Sequence, residues 1–144
     1  MAVAPRVRAA RADDVPAVLA LWARARSAAA STPDTPEALA RLLATGPGAL
    51  LVAEDGAGGA IIGALVAAWD GWRGNMYRLA VDPPHRRRGV ATALVRAGEE
   101  RLRALGARRI TVLVAHEEAE AVELWVAAGY ALDAAIARFV RQFD

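Results

Sequence analysis

The sequence predicts an α/β (α+β) fold, a single domain over residues 1–144 with a mixed, mostly antiparallel sheet of about six to seven strands flanked by about four helices. Three observations carry that expectation. Between residues 49 and 81 three apolar segments are separated only by turn residues, which reads as an antiparallel meander. At Gly89 the apolar period lengthens to that of an amphipathic helix. Two helix-start signals precede the meander, and no linker, repeat or low-complexity tract divides the chain.

In order, Val7 to Ala9 reads as a short first strand. Asp13 or Asp14 then caps a helix reaching Ala29, with Pro16 in its first turn and Val15, Val18, Leu19 and Trp22 on one face. Ser31 to Pro36 is a loop whose Thr35 and Pro36 open a second helix to about Ala44. Gly46, Pro47 and Gly48 break that helix. Ala49 to Glu54 and Ala60 to Trp69 follow as a hairpin about the turn Asp55 to Gly59, and the glycines there miss the spacing of a dinucleotide loop. Asp70 to Gly74 makes a second turn into the strand Asn75 to Val81, which Asp82, Pro83 and Pro84 terminate.

Beyond Gly89, Val90, Leu94, Leu102 and Leu105 form a helical stripe with Gly106 as C-cap. Arg109 to Ala115 reads as a strand and Glu118 to Ala128 as a helix stopped by Gly129. Tyr130 to Asp133 and Ile136 to Phe143 read as a closing strand pair.

Composition narrows the function classes. Hydrophobic residues make up 56% of the 144 and charged residues 24%, enough apolar surface to form a core. No apolar run approaches the roughly 18 residues of a membrane span, so no membrane partner is expected. The start lacks the apolar stretch of a secretory signal, and there is no cysteine for disulfide or thiolate chemistry, which points to the cytoplasm. All 18 basic residues are arginine, yet the net charge is only +2 and scattered apart from one run. A nucleic-acid binder ordinarily concentrates more charge on one face.

That run lies in the stretch that carries chemistry, Leu79 to Thr92, which reads Leu Ala Val Asp Pro Pro His Arg Arg Arg Gly Val Ala Thr. An arginine run alone is ordinarily a solvated surface. Here it joins a proline-stopped strand to a helix start, whose unpartnered N–H groups and dipole suit a phosphate. Gly89 and Ala91 raise no wall before those amides, Thr92 offers a hydroxyl, and Arg86, Arg87 and Arg88 add charge at the same mouth.

This segment resembles motif A of the GNAT superfamily: Gln or Arg, two residues, Gly, one residue, then Gly or Ala. Arg86, Gly89 and Ala91 match it. The element order is similar across nearly the whole chain, and the block Ala121 to Tyr130 resembles a second family pattern. The resemblance implies a GNAT-like domain that moves the acetyl group of acetyl-CoA to a primary amine by direct attack in a ternary complex. It implies that Leu79, Ala80 and Val81 meet the pantetheine arm and that Arg86, Arg87, Arg88, Gly89, Val90, Ala91 and Thr92 surround the pyrophosphate. Trp125 stands where many members carry the tyrosine that protonates the leaving thiolate, and Glu118 where an asparagine often meets the pantetheine.

The candidates for proton handling are therefore Glu118, Asp70 and Tyr77, with Asp70 equally readable as a turn residue. His85 and His116 are too isolated to form a metal site, and no metal is expected. The alternatives are an acyl-CoA-binding regulator without turnover, suggested by Trp125, and a basic nucleic-acid-binding module. The sequence names neither the amine acceptor nor the oligomeric state, with which a homodimer would be compatible.

Overall fold

The computed structural model describes residues 4–25, 34–115 and 118–143. They fall into two compact units, Met1–Leu113 and Val114–Asp144.

The first unit holds one five-stranded sheet in the order β1-β2-β3-β4-β5, with β1 Arg6–Ala9, β2 Leu50–Glu54, β3 Ile61–Trp69, β4 Gly74–Val81 and β5 Ile110–Val112. Neighbours from β1 to β4 run antiparallel and β4 pairs with β5 in parallel, so the sheet is mixed and mostly antiparallel. Central strands covered on both faces need apolar residues throughout, and Ile61 to Ala68 supplies them without interruption.

Helices cover both faces. A 3-10 turn at Ala12–Asp14 leads into α1, Val15–Ala25, and Thr35 caps α2, Pro36–Thr45, its Oγ1 accepting the Ala38 N–H at 3.1 Å. The predicted reach of α1 to Ala29 lies outside the described residues. Val18, Leu21, Trp22 and Leu39 from these helices share one core with Leu50, Val52, Ala64, Val66 and Ala80 of the sheet. Alternation along β3 turns Gly63, Leu65 and Ala67 to the opposite face, where α3, Val90–Leu105, lies. Its approach is close: a Cβ on Gly98 would come 2.8 Å from Met76 Sδ and 3.0 Å from Leu65 Cδ2. Leu105, expected on the buried stripe, is 44% exposed in the last turn before Gly106.

A polar clamp locks the start of the sheet. The Arg8 guanidinium forks onto Asp14, donating at 2.7 and 2.9 Å, and reaches Glu54 at 3.3 Å. Asp14 also accepts the Arg11 N–H at 2.7 Å. The Arg8 bond, chiefly, holds the Asp14 carboxyl down at about 2 against an ordinary 3.8.

In the second unit α4 spans Ala119–Ala127. It ends in a Schellman motif: Gly129 is left-handed at φ 103°, its N–H reaches Val126 O at 3.0 Å, and the Tyr130 N–H reaches Trp125 O at 2.9 Å. The apolar contact that accompanies such a cap is here aromatic, Trp125 meeting Tyr130 edge-on with centroids 5.1 Å apart.

The closing strand pair does not form among the described residues, so the sheet has five strands where six to seven were expected. Asp133 instead folds a local turn, its Oδ1 accepting the Ala135 N–H at 3.2 Å. Leu132, Ile136, Phe139, Val140 and Phe143 are exposed. Strand-like composition forms a strand only where a ladder satisfies the backbone, and these segments have none.

Candidate functional site

The stretch between β4 and α3 is built almost wholly from backbone. The Asp82 N–H donates to Ile62 O at 2.8 Å, tying the end of β4 to β3, and Pro83–His85 forms a 3-10 turn. Arg86 is extended and its Nε donates to Val81 O at 3.2 Å. Two residues then take positive φ, Arg87 at 66° and Gly89 at 80°.

Gly89 is the N-cap of α3, and the first helical bond there runs from the Ala93 N–H to Gly89 O at 3.0 Å. The N–H groups of Val90, Ala91 and Thr92 therefore precede any i→i−4 partner. A left-handed residue followed by a helical one turns successive N–H groups inward to a concavity suited to an anion, and the helix dipole adds partial positive charge. Nothing stands within 4 Å of the place where a Gly89 Cβ would project. Val90, 3% exposed, anchors the helix start in the core while Arg86 to Gly89 stay exposed. The seven residues from Arg86 to Thr92 thus run as one continuous loop and helix start, with the N–H groups of Val90, Ala91 and Thr92 outside the helix's own bonding.

Beside it the sheet opens. β4 and β5 pair only from Gly74↔Ile110 to Met76↔Val112, so Tyr77 to Val81 run on without a β5 neighbour. The β3 register shifts between Ala64 and Val66, which face Ala80 and Tyr77, leaving one extra residue on β4. Arg78, with φ 55°, occupies this bulge, and its Nε meets Asp34 Oδ1 at 3.0 Å. Leu79, Ala80 and Val81 lie between the bulge and the cradle.

Tyr77 is 43% exposed, and desolvation, then the charge of Asp70, raises its phenol above the usual range. It holds its proton at neutral pH. Asp70 serves the β3–β4 turn: its Oδ1 accepts the Arg73 N–H at 2.6 Å and the Trp72 N–H at 2.8 Å. Those two bonds hold its carboxyl below the ordinary range, which makes it a weaker base. The structure thus brings Tyr77 near Asp70, and Leu79 to Val81 into line with Arg86 to Thr92. Within the second unit Glu118 is the residue before α4, and Trp125 is buried at 6% exposure against Tyr130.

Three contacts escape the sequence reading: Arg78 with Asp34, Arg24 with Asp82 at 2.8 Å, and His85 between two carboxylates. Only the i,i+3 spacing of Asp82 and His85 offered a signal. His116 lies outside the described residues. Among those described, no three His, Cys, Asp or Glu side chains gather in a metal-holding group, and no helix is long and apolar enough to cross a membrane.

Comparison with known proteins gives a consistent result. The family model "Acetyltransferase (GNAT) family" matches residues 15–130. An acetyltransferase of Pectobacterium atrosepticum is 37% identical over 116 residues, covering 81% of this chain and 79% of that protein. Among solved structures, Ard1 from Thermoplasma volcanium superposes with a TM-score of 0.79 at 22% identity, over 92% of this chain and 86% of that one. A Mycobacterium tuberculosis protein crystallised in complex with CoA superposes with a TM-score of 0.68 at 26% identity, over 83% of this chain and 70% of that one.

Proposed function

The chain belongs to the GNAT acetyltransferase family, and from that premise we propose that it transfers the acetyl group of acetyl-CoA to a primary amine by direct attack in a ternary complex. The observation that carries this reading is the left-handed Gly89 at the head of α3, which leaves the amides of Val90, Ala91 and Thr92 for an anion beside an opened strand. The family match crosses the boundary at Leu113, and this supports reading residues 1–144 as one working domain.

In this reading Gly89 to Thr92 bind the pyrophosphate through N–H groups, and Arg86, Arg87 and Arg88 offset its charge. Leu79, Ala80 and Val81 offer backbone groups to the pantetheine arm. When bound, acetyl-CoA supplies the activated acyl group. The chain supplies proximity and orientation, which can account for several kcal/mol of the barrier.

Attack requires a neutral amine, and Glu118 and Asp70 are proposed to accept its proton through water, Glu118 ahead of Asp70 because the turn bonds weaken Asp70 as a base. Tyr77, which keeps its proton, is proposed as a donor near the reacting groups. An indole N–H is far too weak an acid to protonate a thiolate, so no proton transfer is proposed for Trp125. The cysteine-free composition fits work in the cytoplasm.

The test is calorimetric titration of the purified chain with acetyl-CoA and CoA, repeated on Gly89→Glu and followed by an amine panel with thiol detection. Micromolar binding lost in the variant, with thiol release for some amine, supports the reading. Absence of binding overturns it, and binding without any turnover would favour a sensor.

A further inference from the structure

Between Val81 and Val90 the loop holds no regular element longer than the 3-10 turn Pro83–His85, so its angle to α3 depends on contacts with neighbouring elements. The turn Pro83–His85 carries an imidazole that lies between two carboxylates. His85 Nε2 lies 3.4 Å from Asp55 Oδ2 in the β2–β3 turn, and Nδ1 lies 3.6 Å from Asp82 Oδ2 at the end of β4. The imidazole is only 23% exposed, and its Nδ1 is buried without a hydrogen-bond partner. Asp82 is itself fixed by Arg24 of α1 at 2.8 Å. Arg88 lines the same small cavity as Asp55 and His85, together with Ile62 and Val90.

We infer that His85 is a positioning residue: it latches the anion-binding loop to the β2–β3 turn through Asp55 and to α1 through Asp82 and Arg24. The inference rests on the acyl-donor reading of the Arg86 to Thr92 loop and adds what orients it. Two carboxylates flank this imidazole, Asp55 from the β2–β3 turn and Asp82 from the end of β4, and Arg24 of α1 holds Asp82. His85 immediately precedes Arg86, so freeing it releases the loop at its root. Separations of 3.4 and 3.6 Å exceed good hydrogen-bond lengths, so the latch is a pair of close polar contacts.

Asp55 makes the inference testable without disturbing the core. It sits in an exposed turn, its side chain 51% exposed, about thirty residues before the loop in sequence. A purely structural account of the cradle gives Asp55→Ala no effect on an anion bound there. The latch gives it a measurable one.

The experiment measures CoA affinity by calorimetry on the full chain and its Asp55→Ala, His85→Leu and His85→Arg variants, with unfolding temperature recorded for each. It adds amide exchange at Arg87 to Ala91 in the ligand-free protein. We expect Asp55→Ala to weaken CoA severalfold and His85→Leu about tenfold, with the double variant no worse than His85→Leu because both remove one contact. His85→Arg, whose guanidinium can donate to both carboxylates, should recover most of the loss, and exchange at the loop amides should quicken in Asp55→Ala with the unfolding temperature unchanged. Unchanged affinity in both single variants, while the wild type binds CoA, overturns the latch and leaves the acyl-donor reading standing. Tighter binding in Asp55→Ala also overturns it, since Asp55 would then act on the anion by charge repulsion and not by holding the loop. Failure of the wild type to bind CoA overturns both.

Discussion

Helix α3 carries a left-handed glycine at each end, and the two serve opposite purposes. At Gly106, φ 115°, the N–H groups of Gly106 and Ala107 turn back onto Arg103 O and Leu102 O at 3.1 and 2.9 Å, so the end is closed on itself. At Gly89, φ 80°, the same conformation stands at the helix start, and the helix's own carbonyls take no N–H group before that of Ala93. One dihedral angle thus seals the C-terminal end and leaves the N-terminal donors unspent. What separates them is polarity: a helix C-terminus has spare acceptors that the next N–H groups can satisfy, whereas an N-terminus has spare donors that only an acceptor from elsewhere can satisfy.

The variant that breaks this contrast most sharply is Gly89→Glu. Open space surrounds the new Cβ, so folding should lose only about 1 kcal/mol for the positive φ. CoA affinity should fall more than about a hundredfold as a carboxylate enters the anion site. Calorimetry alongside thermal unfolding separates the two effects, and a folded variant with wild-type affinity would remove the cradle from the donor site.

A different kind of closed site, the Arg8–Asp14 clamp, sets the next effect. Because the folded Asp14 carboxyl lies at about 2, below its ordinary 3.8, the pair contributes stability fully present above about pH 4. That contribution, about 2 kcal/mol, is lost as pH falls through about 2. Asp14→Asn should abolish this part of the acid dependence, readable in urea unfolding at a series of pH values, while leaving CoA affinity intact.

On the acceptor side, Tyr77→Phe removes a hydroxyl while keeping the ring, and kcat should drop about tenfold with CoA affinity unchanged. Loss of affinity without loss of kcat would move Tyr77 from chemistry to cofactor binding. The smallest effect belongs to the closed glycine: Gly106→Ala should cost about 1 kcal/mol of stability through its positive φ and leave CoA binding untouched. If it weakened CoA as well, the two ends of α3 would not be independent.

Much of the fold was readable because its signals are local. Thr35 and Pro36 open α2 through a hydroxyl-to-amide bond three residues long, and Gly106 and Gly129 close their helices through bonds of three to five residues. The meander from Ala49 to Val81 was equally plain, since β2 and β3 are bounded by turns whose residues favour no other structure. The strands expected at Tyr130 to Asp133 and Ile136 to Phe143 failed for the converse reason: their apolar alternation is a local property, but a strand exists only with a neighbour.

The site divides along the same line. Arg86, Gly89, Ala91 and Thr92 were singled out from consecutive residues, and the helix start that their spacing implied is found at the left-handed Gly89. The bulge at Arg78 was not, because it is a register shift between two strands and appears in neither one alone. Nor were the partners of Asp70 and His85: the first accepts N–H groups of its own turn, the second meets a carboxylate thirty residues away.

By itself, then, the sequence determined the cap of α2, the glycine stops of α3 and α4, the hairpins with their turns, and a glycine-led helix start after β4, all of which depend on dihedral preferences and hydrogen bonds within a few residues. The tertiary structure alone decided where β4 parts from β5 after Met76, that Arg78 takes the bulge, and that His85 stands between Asp55 and Asp82. These are decided by which backbone and side-chain groups find partners across the fold, and that depends on packing between segments distant in the chain.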